Sequence, residues 1–143
     1  MHSGYLVVET NDAHPGLVRL YTAKTIPSLP AETLLPANAI PRHVARFNDL
    51  STARMHAHEL LRHRAVDAAA GLYRSTPIEA AAAIESIALR QQRAYLDPAL
   101  AADPALEQMI AERRARRLRN DRAWRIIGAL AVLFLILKLL LGF

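Results

Sequence analysis

The C-terminal end of the sequence constrains this chain more than any other part of it. An apolar run from Ile126 to Phe143 is interrupted only by Lys138. A helix of these 18 residues would span roughly 27 Å, close to the hydrocarbon thickness of a bilayer. The sequence therefore predicts a single transmembrane helix over residues 126–143, with the bulk of the chain on one side of the membrane.

A dense cluster of arginines, here named the arginine collar, lies just before the apolar run. It carries seven arginines and Asp121 between positions 113 and 125, a net charge of +6, whereas the rest of the chain has 11 basic and 12 acidic residues. Such a collar is expected to contact anionic lipid headgroups and to keep the N-terminal part in the cytoplasm. The predicted membrane-interface residues are Arg113, Arg114, Arg116, Arg117, Arg119, Arg122, Trp124 and Arg125.

Lys138 is the one charged residue in the predicted span. The sequence leaves two interpretations open. Its ammonium can snorkel to the far interface, because only five residues follow it. Alternatively, it can pair with a carboxylate of another subunit inside the membrane.

Composition excludes several classes of site. The chain has no cysteine, so disulfides, thiolate metal sites and cysteine nucleophiles are excluded. The first residues do not have the pattern of a signal peptide. A nucleic-acid-binding domain usually spreads positive charge over its surface, and outside the collar this chain is close to neutral.

The first half of the chain predicts mainly strands. Gly4 to Thr10 and Leu17 to Thr22 are rich in β-branched and aromatic residues, and the segment between them has turn composition, so they predict a hairpin. Several prolines leave room for only a short helix over Ala31 to Leu35, and His43 to Phe47 is a candidate third strand.

The second half predicts mainly helices. Asp49 or Ser51 can cap a helix that extends to about Arg64, and Leu72 to Arg74 is a candidate strand. Ser75, Thr76 and Pro77 begin a helix predicted to extend to about Leu96. Two further cap-plus-proline pairs begin later helices, at Asp97-Pro98 and Asp103-Pro104, and the last helix is expected to continue into the membrane.

The order of these elements predicts a small α+β domain. The predicted domain boundaries are 1–96 for this domain, 97–125 for a linker and basic juxtamembrane helix, and 126–143 for the transmembrane helix.

Five segments of the chain resemble the GIY-YIG nuclease superfamily, in its compact phage and bacterial branch. The resemblance covers about residues 3 to 90 and depends on the order and spacing of the segments. They are Gly4-Tyr5-Leu6, Pro15-Gly16-Leu17-Val18-Arg19-Leu20, Ala57-His58-Glu59-Leu60-Leu61, Leu72-Tyr73-Arg74 and Pro77-Ile78-Glu79-Ala80-Ala81. The resemblance implies a mixed sheet with flanking helices and makes Tyr5, Tyr21 and His58 remnants of the family positions.

The chain departs from this family at the positions that carry the family's catalytic chemistry. Tyr21 stands where the resemblance calls for a glycine, and no arginine or lysine occurs between Lys24 and Arg42 to supply the cation of the first helix. The position of the metal-binding glutamate falls near Gly71. Metal-dependent phosphodiester cleavage needs a carboxylate for the metal and a cation for the phosphate. The resemblance therefore implies a degenerate copy without catalytic residues, metal or cofactor.

Two smaller groups of residues have structural and functional interpretations. His56, His58 and His63 are poorly spaced for a metal site, so His58 is expected to pack or hydrogen-bond within the fold. Tyr5 and Tyr21 could be a remnant of a phosphate pocket, but cross-strand aromatic packing is the simpler expectation.

These observations predict a non-catalytic accessory subunit or adaptor, anchored by its C-terminus on the cytoplasmic face of a bacterial inner membrane. Its expected partners are the lipid bilayer and other membrane-protein subunits. The alternative is a membrane-tethered nucleic-acid-binding protein or a residual nuclease of the GIY-YIG type.

Overall fold

The chain folds into an antiparallel sheet with helices and a long C-terminal apolar helix, so the α+β prediction is confirmed. The computed structural model describes residues 2–27 and 38–142. The short helix predicted over Ala31 to Leu35 lies outside the described residues. The strands are β1 (Gly4–Asn11), β2 (Leu17–Ala23), β3 (Ala39–Phe47), β4 (Ala65–Asp67), β5 (Leu72–Arg74) and β6 (Gln91–Leu96). The helices are α1 (Leu50–Leu61), α2 (Pro77–Glu85), α3 (Pro98–Ala101) and α4 (Pro104–Leu140).

The six strands form one sheet in the order β4-β5-β2-β1-β3-β6, and all described pairs are antiparallel. The predicted hairpin is present as β1 and β2, with Val8 opposite Leu20. On its other side β1 pairs with β3, where Val8 lies opposite His43. The first strand is therefore central, and the alternation of side chains along it defines the two faces of the sheet.

One face of the sheet packs against α1 and α2 and forms the main core. Leu6 and Val8 of β1 and Phe47 of β3 are fully buried there. Asp49 begins α1 as predicted, because its carboxylate accepts hydrogen bonds from the backbone N–H and the hydroxyl of Thr52. After Leu61 the chain continues as a short 3₁₀ turn over Arg62–Arg64.

The second helix, α2, is buried on two sides. It begins with a capping box between Thr76 and Glu79, with Pro77 in its first turn, as the sequence indicates. Its alanines fall into two sets: Ala80 and Ala83 pack in the main core, whereas Ala81 and Ala82 pack in a second apolar cluster. The other buried members of that second cluster are Leu100, Leu106 and Ile110.

The prediction that this helix extends to Leu96 is wrong. It ends at Glu85, and Gln91–Leu96 forms β6 at the edge of the sheet, paired with β3. The side-chain amide of Gln91 donates hydrogen bonds to the backbone carbonyls of Glu85 and Ile87. Carbonyls at the C-terminal end of a helix lack partners within the helix, and Gln91 supplies them here. Strand pairing thus overrides the helical propensity of this segment.

Two other elements differ from prediction in extent. The third strand begins at Ala39, earlier than the predicted His43, and the short strand β4 was not predicted. All three residues of β4 are exposed, so no apolar pattern marks it in the sequence.

The chain divides into two compact units, Met1–Ile110 and Ala111–Phe143. The first extends beyond the predicted boundary at residue 96, because Leu100, Leu106 and Ile110 pack against α2. The second holds the remainder of α4, a helix of 37 residues in all. This helix is the one candidate membrane span in the described part of the chain, with a mean hydropathy of 2.2 over its most apolar window.

A buried ionic cluster joins β3, α2 and β6. His43 is fully buried and its Nε2 lies 2.8 Å from Oε1 of Glu85, which also accepts a hydrogen bond of 2.7 Å from Nε of Arg93. Burial alone would raise the pKa of Glu85, but the hydrogen bonds from His43 and Arg93 overcome it and lower the pKa from 4.5 to about 2. The pairing therefore stabilises the folded state when Glu85 is ionised.

We expect this cluster to make the domain sensitive to acid. Since the folded pKa of Glu85 is below the unfolded one, its contribution is complete above about pH 4.5 and is lost as the pH falls toward 2. A shift of this size corresponds to about 3 kcal/mol. Other carboxylates titrate in the same pH range. The contribution of Glu85 is therefore measured as the difference between the free energies of unfolding of wild type and Glu85→Gln, followed as a function of pH. Tyrosine near-UV circular dichroism of the full chain in detergent would follow unfolding.

The matched control is Glu107→Gln. Glu107 contacts the same guanidinium at 3.5 Å but is exposed, so its loss should change the free energy of unfolding by less than about 1 kcal/mol. Equal effects of the two variants, or an unchanged acid profile in Glu85→Gln, would contradict the assignment.

Candidate functional site

A concave cleft lies beside the open edge of β2. Because β5 pairs only with Leu17–Arg19, the remainder of β2 has no strand neighbour on that side in the described part of the chain. The backbone N–H of Leu20 donates a 2.8 Å hydrogen bond to the carbonyl of Gly71. Beyond that bond, none of the described strands pairs with this edge. The cleft has a volume of about 680 Å³.

Three elements line this cleft. They are one side of α1, the strand β2 and the turn before β5. The lining residues that matter below are Arg19, Tyr21, Arg54, His58, Gly71 and Tyr73. Among the described residues that line it, three are basic or imidazole side chains and none is acidic. The described lining of the cleft therefore holds basic side chains and no carboxylate, in a domain that is close to neutral.

His58 and Tyr73 form a fixed pair on one wall. Nδ1 of His58 lies 2.8 Å from the hydroxyl oxygen of Tyr73, and the two rings meet edge to face at 6.1 Å. The pair arises because Ala57 is buried on α1, which directs the adjacent His58 to the side of the helix. Burial raises the pKa of Tyr73, although the charge of Arg54 opposes it, so the hydroxyl stays protonated and available as a donor.

Arg19 projects from the face of the sheet away from α1 and is held there by two contacts. Its Nη1 donates to the carboxylate of the buried Glu9 at 3.1 Å, and its guanidinium lies 5.3 Å from the centre of the Tyr21 ring. Burial, together with the charge of Glu9, raises the pKa of Tyr21. The contacts fix the direction of the guanidinium and partly neutralise it.

The remaining tyrosine, Tyr5, is not among the described residues that line this cleft. Its strand partner is Ala23, whereas Tyr21 lies opposite Val7, so the two tyrosines are diagonal neighbours on one face of the sheet. The aromatic contact that the described residues show in this region joins His58 and Tyr73.

Gly71 lies near the position at which the family resemblance would place a metal-binding glutamate. Its φ is +69°, and a Cβ at this position would clash with the carbonyl oxygen of Leu20. That carbonyl belongs to the strand residue whose N–H is hydrogen-bonded to Gly71, so the two backbones cannot separate without breaking the bond. This backbone therefore has no room for a side chain at position 71.

The histidines do not converge. His43 pairs with Glu85, His58 pairs with Tyr73, and His63 accepts a 3.3 Å hydrogen bond from Arg62. In residues 2–27 and 38–142 no group of three His, Asp or Glu side chains is placed to hold a metal ion. The structure thus gives His58 a tyrosine partner inside the fold.

The predicted membrane-interface residues all lie on α4, in the second compact unit. At about 100° per residue, Arg113, Arg114, Arg116 and Arg117 fall on one side of the helix. Arg119, Arg122 and Arg125 fall on the opposite side, so the collar surrounds the helix axis. Trp124 is 66% exposed, and Lys138 lies on the same helix among exposed leucines.

Comparisons with protein-family models, with curated proteins and with solved structures found no match to this chain.

Sequence reasoning missed the two arginines of the cleft. It searched for a cation between Lys24 and Arg42, where the resemblance places one, whereas the structure supplies Arg19 from β2 and Arg54 from α1. Arg54 precedes His58 by one helical turn, so their spacing on α1 was a signal that could have been used.

The steric restriction at Gly71 can be tested against a second glycine. Gly71→Ala adds both a strained left-handed residue and a backbone clash, so we expect it to destabilise the domain by more than about 3 kcal/mol. Gly16→Ala is the control, because Gly16 has a similar φ of +78° but open space around it, and the strain alone should cost about 1 kcal/mol. Chemical unfolding of both variants measures the difference, and equal losses would contradict the clash.

Proposed function

We propose that this chain is a non-catalytic accessory subunit or adaptor, anchored by a single C-terminal membrane span on the cytoplasmic face of a bacterial inner membrane. Its domain is a degenerate GIY-YIG-like fold that presents a docking surface to other membrane-protein subunits. The observation that carries the proposal is α4, in which the arginine collar is followed directly by an exposed apolar segment.

The arrangement of the collar supports contact with lipid headgroups. Charges on all sides of a helix suit a helix that crosses a headgroup layer, which surrounds it on every side. A helix that binds nucleic acid along its length would concentrate its cations on one face. The exposure of Trp124 next to the span also suits an interfacial position, where tryptophan is enriched.

The composition of the cleft supports the non-catalytic part of the proposal. Hydrolysis of a phosphodiester with a divalent metal requires carboxylate ligands, and the described lining of the cleft has none. Gly71, near which the family resemblance would place its glutamate, has no room for a side chain.

A second candidate function is a membrane-tethered nucleic-acid-binding protein. The observation in its favour is the cleft, whose described lining includes Arg19 and Arg54 and no carboxylate. Against it, residues 1–110 carry ten arginine and lysine residues and eleven acidic ones. Binding of a polyanion by the domain would then depend on one local cluster, whereas such binding usually uses many phosphate contacts.

The absence of native cysteine allows the topology to be tested cleanly. Ala13→Cys places a thiol in the exposed turn between β1 and β2, and Leu141→Cys places one beyond Lys138. In intact spheroplasts a membrane-impermeant maleimide should label Leu141→Cys and leave Ala13→Cys unlabelled until the cells are lysed. The cysteine-free wild type is the background control. Labelling of Ala13→Cys in intact spheroplasts would reverse the proposed orientation.

The adaptor role predicts stable partners in the membrane. The tagged chain, captured in a mild detergent from the membranes that naturally contain it, should co-purify with other membrane proteins identified by mass spectrometry. Lys138→Leu distinguishes the two interpretations of that lysine: loss of the partners indicates an intramembrane ion pair, and their retention indicates snorkelling. Purification of the chain alone would contradict the adaptor role.

A further inference from the structure

The outer edge of β2 carries backbone groups that the described part of the sheet does not use. Along an antiparallel strand, the N–H and C=O of every second residue point to the same neighbour. The N–H of Leu20 donates to the carbonyl of Gly71, on the side away from β1, so the N–H and C=O of Thr22 point to that side as well. None of the described strands pairs with Thr22 there, and no described backbone group is hydrogen-bonded to it on that side. An incoming strand would find a donor and an acceptor in register.

The cleft gives this edge the shape of a groove. The turn that contains Gly71 lies at one end of it, and α1 forms its wall. Thr22 lies opposite the fully buried Leu6, on the face of the sheet that α1 covers, yet Thr22 itself is exposed. At about 3.3 Å per residue, residues 20–23 offer roughly 13 Å of edge. An extended segment beside them would continue the sheet in line with β5.

The wall of the groove has a definite chemistry. Four residues of α1 line it, at a spacing that places them on one face of the helix: Ser51, Arg54, Met55 and His58. Met55 is a large apolar side chain that is 60% exposed, and Arg54 is exposed beside it. The described lining holds no carboxylate. This wall is therefore complementary to a segment with one acidic and one apolar side chain on the face that it turns to α1.

From this arrangement we infer that the edge of β2 is a docking site for an extended segment of a partner protein, which adds to the sheet as an antiparallel strand beside residues 20–23. Strand addition to an open sheet edge is a common mode of peptide recognition, and the antiparallel direction is that of β5. The segment residue opposite Thr22 exchanges two backbone hydrogen bonds with it. Since opposite residues project to the same face, its side chain meets Arg54 and Met55.

Charge favours such a segment over a second copy of this chain. Two copies paired antiparallel through this edge would have their α1 helices on the same face of the joint sheet. The two Arg54 side chains would then approach each other across the pairing axis, with no carboxylate in the described lining to offset them. Like charges facing each other across a strand pair destabilise it. An acidic segment places the opposite charge at the same point.

The inference deepens the proposed adaptor role, and it rests on that role for the source of the segment, which would be another membrane-protein subunit. Binding itself is tested without that subunit, so the two can fail separately. Absence of co-purifying membrane proteins would contradict the adaptor role and leave peptide binding untouched. Retention of those proteins by Thr22→Pro would leave the adaptor role standing and show that this edge is not its docking surface.

The test selects binders from a phage-displayed library of random heptapeptides on the full chain in a neutral detergent. Thr22→Pro removes the N–H at the edge, where proline is tolerated in a strand, and its matched control Thr22→Val keeps that N–H. Arg54→Glu reverses the charge of the wall and leaves the backbone unchanged. Its matched control is Arg46→Glu, at an exposed arginine of β3 that does not line the cleft. Near-UV circular dichroism checks that each variant is folded, and if Thr22→Pro is not, Arg54→Glu carries the test.

We expect the selected peptides to have β-forming residues and an aspartate or glutamate two positions from an apolar residue. Synthetic copies should bind wild type and Thr22→Val alike, whereas Thr22→Pro should weaken binding at least about tenfold, because a backbone hydrogen bond is lost and its partner is left unpaired. Selection on Arg54→Glu should enrich lysine or arginine at the acidic position, and selection on Arg46→Glu should return the wild-type pattern. Bound peptide should slow the hydrogen exchange of the Thr22 amide, measured by NMR.

Three results would overturn the inference. The first is no enrichment of peptides on wild type over detergent alone. The second is peptide binding that leaves the Thr22 amide unprotected and the acidic preference unchanged in Arg54→Glu. The third is dimerisation of the full chain, seen by analytical ultracentrifugation and lost in Thr22→Pro but not in Thr22→Val, which would assign this edge to a second copy.

Discussion

The burial of α2 on two sides is the constraint on which the rest of the domain depends. Ala80 and Ala83 pack toward the sheet and α1, and Ala81 and Ala82 pack toward the cluster that includes Leu106. Small side chains let both layers approach the helix backbone closely, which larger residues would prevent. The start of α4 therefore belongs to the domain core, and its first turns are held by tertiary contacts rather than by helix propensity alone.

The cleft results from a mismatch in strand length. β5 has three residues and β2 has seven, so the sheet leaves part of β2 without a partner strand on one side. The hydrogen bond from Leu20 to the carbonyl of Gly71, which has a positive φ, is the last one between β2 and this turn. Residues of α1 line the cleft beyond it. The same turn that shapes the cleft also leaves no space for a side chain at position 71.

Elements with a strong local signal could be predicted from the sequence. The hairpin has alternating apolar residues around a turn, and α1 and α2 have capping residues that the structure uses. β6 could not be predicted, because its exposed polar residues carry no apolar period and it is a strand only through pairing with β3. The lining of the cleft could be predicted only in part: the sequence singled out His58, whereas the inclusion of Arg19 and Arg54 follows only from the tertiary fold.

The distribution of charge differs between the two units of the chain. In the first unit acidic residues nearly balance basic ones, and the buried Glu85 and Glu9 each neutralise an arginine nearby. The positive charge in excess is concentrated in the collar of the second unit, where it surrounds the helix axis next to the apolar segment. The excess positive charge is therefore separate from the surface of the first unit.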